Sequence, residues 1–105
     1  MAQQSALTES TYYILLSLVK ARHGYGIMQM AEQLSGGRVR LAAGTLYGAL
    51  TALCEKGWIR LLPSEESRKK EYILTPKGRE VLEAELERLR ELVNNGDAVL
   101  KEDAE

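Results

Sequence analysis

Reactive side chains are scarce in this sequence of 105 residues. Cys54 is the only cysteine and His23 the only histidine. A lone cysteine excludes an intramolecular disulfide, and one cysteine with one histidine cannot form a zinc cluster or a pair of catalytic histidines. Neither Ser17 nor Cys54 has a base arranged beside it, and no phosphate-binding loop occurs. The sequence therefore predicts a protein that is not an enzyme and that needs no metal or cofactor.

Long apolar segments are also missing. The longest uninterrupted apolar run extends from Tyr12 to Leu16, whereas a helix that crosses a bilayer needs about 20 apolar residues. The first residues lack the basic flank and apolar stretch of a signal peptide. With a single cysteine, this pattern favours a reducing compartment, so we expect a cytoplasmic protein.

Charge is divided unevenly along the chain. The net charge of −1 is close to neutral. Residues 1–75 contain nine basic and six acidic residues, whereas residues 76–105 contain five basic and nine acidic residues. A basic first part followed by an acidic end is typical of a protein whose first part meets a polyanion.

Three helices are predicted in the first half. The first follows Thr8 as N-cap and is apolar on most of its faces, so it must be covered on two sides. The second starts at the Gly24-Tyr25-Gly26 turn, has an apolar stripe and ends at Gly36-Gly37. The third begins near Ala43 and places small polar residues opposite a leucine face.

A β-hairpin and a last helix complete the pattern. Two short strands are predicted at 58–62 and 71–74, joined by a polar connection. Thr75-Pro76 then provides an N-cap and a first helical residue, and Asn94-Asn95-Gly96 is expected to end or kink the helix. The order predicts a mainly α fold with a small β-hairpin, that is, a winged helix-turn-helix over 1–75. Residues 76–105 form one C-terminal dimerisation helix with a short acidic tail.

Ordered local motifs resemble those of the PadR family of bacterial transcriptional regulators. They run from Leu7 to Val93 and comprise Tyr12-Tyr13-Ile14-Leu15-Leu16-Ser17-Leu18, His23-Gly24-Tyr25-Gly26-Ile27, Gly44-Thr45-Leu46-Tyr47, Glu55-Lys56-Gly57-Trp58-Ile59 and Tyr72-Ile73-Leu74-Thr75-Pro76-Lys77-Gly78. The single last helix resembles the short subfamily. The resemblance implies a winged helix, a homodimer in which the last helix pairs with the partner's first helix, and a repressor released by a small-molecule effector.

Candidate DNA-binding residues surround the third helix, which becomes the recognition helix in this interpretation. Its outer face is small and uncharged, which lets a helix approach the major groove, and cations on either side could contact phosphates. Plain surface exposure is the alternative for each of these positions. The predicted set is Arg38, Arg40, Thr45, Tyr47, Gly48, Thr51, Arg68, Lys69 and Lys70.

Candidate dimerisation residues lie on the first and last helices. The last helix carries apolar residues at steps of four, three and four, as in a coiled coil, and the first helix has a second apolar face. The predicted set is Ile14, Leu18, Leu82, Leu86, Leu89 and Val93. A symmetric dimer would present two recognition helices to a pseudo-palindromic operator in double-stranded DNA.

The sequence thus predicts a ligand-responsive, sequence-specific DNA-binding regulator. The alternative is a winged-helix protein-interaction module that does not bind DNA. Basic residues near the third helix and the wing favour the first interpretation.

Overall fold

The computed structural model describes residues 6–63 and 70–104. Within those ranges the chain forms four helices and three short strands. Their order is α1 (Glu9–Ser17), β1 (Arg22–His23), α2 (Gly24–Leu34), α3 (Ala43–Glu55), β2 (Ile59–Leu61), β3 (Glu71–Leu74) and α4 (Pro76–Ala104). A mainly helical fold with a small antiparallel sheet and one C-terminal helix confirms the predicted fold class.

Helix ends occur where the sequence predicts them. The Thr8 hydroxyl accepts a hydrogen bond from the backbone N–H of Thr11 at 3.1 Å, which caps α1. The Thr75 hydroxyl likewise accepts from the Gly78 N–H at 3.0 Å and caps α4. Gly57 follows α3 with a φ of 77°, a left-handed conformation that favours glycine at this position.

The wing is a three-stranded sheet rather than a simple hairpin. β3 lies in the centre, between β1 and β2, and both pairings are antiparallel. Ile59 is opposite Leu74, and His23 is opposite Glu71. The sequence did not predict β1, because a strand of two residues is too short to show an alternating pattern.

The core joins α1, α2, α3, the sheet and the first part of α4. Ile14, Leu18 and Leu82 belong to it, with 1%, 0% and 8% of their surface exposed. The prediction that these three side chains meet a partner subunit is therefore corrected. The first helix does need cover on two sides, but α2 and α4 of the same chain supply it.

α4 continues without a break from Pro76 to Ala104. The expected end or kink at Asn94-Asn95-Gly96 was wrong, because a glycine costs only about 1 kcal/mol relative to alanine inside a helix and neighbouring helix formers outweigh it. Every residue from 90 to 104 is exposed. None of the helices in the described ranges is long and apolar enough to cross a membrane.

One buried acidic residue connects α4 to the segment before α1. Glu85 is 1% exposed. Its carboxylate accepts two hydrogen bonds from Arg88, at 2.6 and 2.8 Å, and one from the backbone N–H of Leu7 at 3.0 Å. Hydrogen bonds from the Arg88 guanidinium hold the pKa of Glu85 below its ordinary value, against the opposing effect of burial.

Candidate nucleic-acid interface

α3 has one buried face and one exposed face. Leu46, Leu50 and Leu53 are 0%, 1% and 4% exposed and fix the helix to the core. The opposite face contains the predicted contact residues Thr45, Tyr47, Gly48 and Thr51, all of which are exposed. The structure therefore brings these four residues together on one accessible surface.

The exposed face of α3 is small. A Cβ atom added at Gly44 or Gly48 would meet no atom within 4 Å, so nothing in the described chain covers the helix backbone there. Thr51 uses its hydroxyl on its own helix, donating to the Tyr47 carbonyl at 3.0 Å. Such a surface allows the helix backbone to come close to the floor of a groove.

Tyr47 connects α3 to the start of α2. Its ring packs against Gly24: a Cβ added at Gly24 would lie 2.6 Å from the Tyr47 hydroxyl oxygen. A side chain at residue 24 would therefore require the Tyr47 ring to move. The Tyr47 hydroxyl is thereby held beside the first turn of α2, while half of the residue's surface remains exposed.

A cleft of about 450 Å³ opens at this junction. The N-cap residue of α2, His23, makes no capping hydrogen bond with its side chain, and backbone N–H groups at a helix start favour anions. Hydroxyl, ammonium and amide groups therefore converge with a helix N-terminus, an arrangement that suits a phosphate. The residues around the cleft are His23, Gly24, Tyr25, Gly26, Gln29, Tyr47 and Lys70.

Sequence reasoning missed Tyr25 and Gln29 as members of this cleft. Tyr25 is 69% exposed, although it is a large aromatic side chain. In the sequence, the Gly-Tyr-Gly turn was recognised as a helix boundary and as part of a family motif, but not as part of a binding site. An aromatic residue between two glycines at a helix start was the available signal.

The wing contributes Lys70, which is exposed and lies immediately before β3. Arg68 and Lys69, the other two predicted wing cations, lie outside the described residues. His23 supports the wing base: its Nδ1 lies 3.4 Å from the Lys70 carbonyl oxygen, and its Nε2 lies 3.9 Å from a Glu71 carboxylate oxygen.

Arg38 and Arg40 lie apart from this cleft, on the segment between α2 and α3. Arg38 forms an ion pair with Glu9 of α1, and Arg40 lies 3.3 Å from Glu32 near the end of α2. All four side chains are well exposed. Exposed pairs of this kind contribute at most about 1 kcal/mol, so either arginine could exchange its partner for a phosphate at little cost.

A second, more apolar cleft of about 470 Å³ lies on another side of α3. Lys56 places its ammonium 4.6 Å from the centroid of the half-buried Trp58 ring. Nearby, burial raises the pKa of the Cys54 thiol. The lining residues are Ala6, Leu7, Thr8, Thr11, Ala49, Ala52, Leu53, Lys56, Trp58 and Val81.

No group of three or more potential metal ligands occurs in residues 6–63 and 70–104. The fold and the exposed face of α3 define a winged-helix protein with a helix available for a groove. Residues 14–84 match the family described as the transcriptional regulator PadR-like family, and the chain belongs to that family. Its members are transcriptional regulators, which agrees with the prediction that this chain is not an enzyme.

Individual relatives are similar over different lengths. An uncharacterized 37.1 kDa protein in transposon TN4556 of Streptomyces fradiae is 49% identical over 63 residues, which are 60% of this chain and 17% of that protein. The chain thus spans only a small part of that relative. A PadR family transcription regulator from Clostridium difficile is 26% identical, with a TM-score of 0.70 over 89% of this chain and 99% of that one. RosR of H. salinarum is also 26% identical, with a TM-score of 0.69 over 93% and 94%.

Proposed function

We propose that this chain is a sequence-specific regulator that binds double-stranded DNA as a homodimer, on a pseudo-palindromic operator. The observation that carries the proposal is the free, small face of α3 next to a cleft where Tyr47, Lys70 and the α2 N-terminus converge. Residues 1–75 would bind DNA, and residues 76–105 would join two copies. The regulator would act in the cytoplasm.

Recognition would divide between the face of α3 and the groups beside it. Thr45, Gly48 and Thr51 are small enough to face base edges in the major groove. Tyr47, held against Gly24, would meet a backbone phosphate together with Lys70. Phosphate contacts set the register of a protein on the duplex, whereas base contacts give sequence preference.

The wing would add affinity that is independent of sequence. Arg68, Lys69 and Lys70 are three consecutive cations. Cations that neutralise phosphates release counterions, so the affinity falls as salt rises. Arg38 and Arg40 would contact phosphates farther along the duplex after exchanging their acidic partners.

Pairing would use the part of α4 that its own protomer leaves uncovered. Leu86, Val93 and Leu100 are 37%, 59% and 71% exposed and repeat at coiled-coil spacing. Leu89 is half-buried and lies on the same stripe. A row of this length on one helix face is best explained by a second copy of the same helix.

Gly96 is a separate feature that favours this pairing. It lies between Val93 and Leu100 on the same stripe, and a Cβ there would meet nothing within 4 Å. In a lone helix, glycine at this position only reduces stability, by about 1 kcal/mol. In a dimer it allows two helix backbones to approach closely, which offsets that cost.

Repression is the proposed mode because a dimer seated on a promoter excludes polymerase without any further contact. The proposal of a small-molecule effector is supported by the apolar cleft beside Trp58. Its volume of about 470 Å³ falls within the range of known ligand pockets. One wall of that cleft is α3 itself, so an occupant would contact the recognition helix directly.

Selection of bound duplexes from a random pool tests the proposal. The expected result is an enriched site with two-fold symmetry, whose half-sites are about one helical turn apart. A mobility-shift titration with random duplex should show binding that weakens steeply with salt. No shift at low salt would favour the protein-interaction alternative, and enriched sites without symmetry would contradict the dimer.

A further inference from the structure

The recognition helix α3 and the long helix α4 meet at one corner, formed by Gly57, Trp58, Thr75 and Gly78. Thr75 forms one hydrogen bond with each of the other three residues of this corner. Its backbone N–H donates to the Trp58 carbonyl at 3.0 Å, and its hydroxyl donates to the Gly57 carbonyl at 2.6 Å. The same hydroxyl accepts from the Gly78 N–H at 3.0 Å. One threonine therefore ties the end of α3 to the first turn of α4.

The peptide groups of Trp58 link the two helices through the main chain. The Trp58 N–H donates to the Leu53 carbonyl of α3 at 3.1 Å, while the Trp58 carbonyl accepts from Thr75. Gly57 makes this possible with its φ of 77°. The link runs through backbone atoms, which have far fewer accessible conformations than a surface side chain.

Gly78 brings the backbone of α4 directly against this link. A Cβ added at Gly78 would lie 1.9 Å from the Trp58 carbonyl oxygen and 2.8 Å from a Leu74 methyl carbon. Any other residue would have to push α4 away from the corner. The first turn of α4 is thus in direct contact with the chain that ends α3, with no side chain between them.

We infer that this corner is a rigid joint, in which Thr75 and Gly78 are positioning residues for the recognition helix. Packed backbone groups held by hydrogen bonds do not deform continuously, so a change in the direction of α4 moves α3 with it. The inference rests on the proposed function, because the joint matters for DNA only in a dimer built through α4. In that dimer the crossing of the two α4 helices sets the separation of the two recognition helices.

A distance measurement within one protomer tests the joint without requiring DNA or dimerisation. Spin labels are placed at Ala43→Cys, the first residue of α3, and at Glu91→Cys on α4, in a Cys54→Ser background. Both labelled positions are exposed. Doubly labelled protein is diluted with unlabelled protein, so that pulsed EPR reports only the distance between α3 and α4 of the same chain.

Thr75→Val removes both hydroxyl bonds at nearly constant volume. The distance distribution between the labels should become about twofold wider, because the two helices then open locally at the joint. Thr75→Ser keeps the hydroxyl and should restore the narrow distribution. Thr8→Val is the matched control: it removes the equivalent N-cap bond of α1 and should leave the distribution unchanged.

Gly78→Ala gives an independent reading that does not depend on the hydroxyl. It should shift the mean distance rather than broaden it, since the methyl group displaces α4 as a body. A wild-type distribution in both folded Thr75→Val and folded Gly78→Ala overturns the inference. Equal broadening in Thr8→Val would also overturn it, because the effect would then reflect general loosening of the domain.

A DNA measurement separates this inference from the proposed function. With duplexes obtained by selection, Thr75→Val should lower affinity for the preferred half-site spacing about fivefold and leave affinity for random duplex unchanged, because only the relative placement of the recognition helices is altered. If the wild-type protein binds no duplex, the proposed function fails, while the label distances still decide whether the joint is rigid.

Discussion

The body of the protein and the distal part of α4 differ in how far their apolar side chains are buried. In the body, formed by residues 6–63 and 70–89, apolar side chains such as Leu15 and Ile27 are fully buried by the same chain. In distal α4, residues 90–104, Leu92, Val99 and Leu100 are 53%, 63% and 71% exposed. The body has a buried core beside a few exposed apolar side chains such as Leu34 and Leu61, whereas every apolar side chain of distal α4 is exposed. A helix of this kind gains most of its stability from tertiary or quaternary packing.

Shortening a buried side chain in the body should have the largest effect on stability. Leu50→Ala should lower the free energy of unfolding by about 2–5 kcal/mol, because Leu50 is 1% exposed and its removal leaves a cavity. Urea denaturation measures this. Leu100→Ala is the comparison: below the concentration at which dimers form, it should cost less than about 0.5 kcal/mol. Equal losses would contradict the division between the two regions.

Charges introduced on the apolar stripe of distal α4 should separate the two subunits of the proposed dimer and leave the body folded. The double variant Val93→Glu/Leu100→Glu should raise the dimer dissociation constant by at least about 100-fold, because unpaired carboxylates would have to be buried. Sedimentation measures the dissociation constant, and circular dichroism checks the fold. Glu91→Lys, a charge change at another exposed position of α4, serves as control. A double variant that still sediments as a dimer would show that the stripe is not the interface.

DNA affinity can test whether a positive charge on the body matters more for binding than the same charge on distal α4. Lys70→Ala should weaken binding to all duplexes several-fold and reduce the slope of log affinity against log salt by about 1, because one phosphate contact is lost. Lys101→Ala removes the same charge from distal α4 and should change neither quantity. Fluorescence anisotropy at several salt concentrations measures both. A similar change in both variants would mean that only total charge matters.

The smallest expected effect concerns Glu85, a buried residue of the body that lies on α4 close to the distal part. The folded-state pKa of Glu85 lies below its ordinary value near 4.5. Its contribution to stability is therefore present above that value and is lost as the pH falls through the lower folded-state pKa. Glu85→Gln should show a smaller loss of stability on acidification below about pH 4.5 than the wild type. Denaturation at several pH values measures this, with Glu83→Gln on the exposed side as control.

Local signals in the sequence were sufficient for most of the fold. Thr8, Gly57 and Thr75 act through neighbouring backbone groups, so their capping roles could be predicted from position alone. The strand pair and the leucine face of α3 follow from periodicity. The unbroken course of α4 was missed because the sum of good helix formers outweighed one weak glycine.

Predictions that depend on tertiary contacts were less reliable. Periodicity shows that Ile14 and Leu18 need cover, but it does not say whether the cover comes from the same chain or from a partner. The geometry of the candidate site could be predicted only in part. The exposed face of α3 follows from helical spacing, whereas Tyr25 lines the cleft only because α2 begins beside Tyr47. That proximity arises from packing between elements far apart in sequence.

The two-residue strand β1 helps to fix the register of the wing. With Arg22–His23 on one side and Ile59–Leu61 on the other, β3 has hydrogen-bonded neighbours along both of its edges. The register of β3 is therefore fixed by pairing on both sides, with residues 22–23 and with residues 59–61. It does not depend on how many residues separate Pro63 from Lys70.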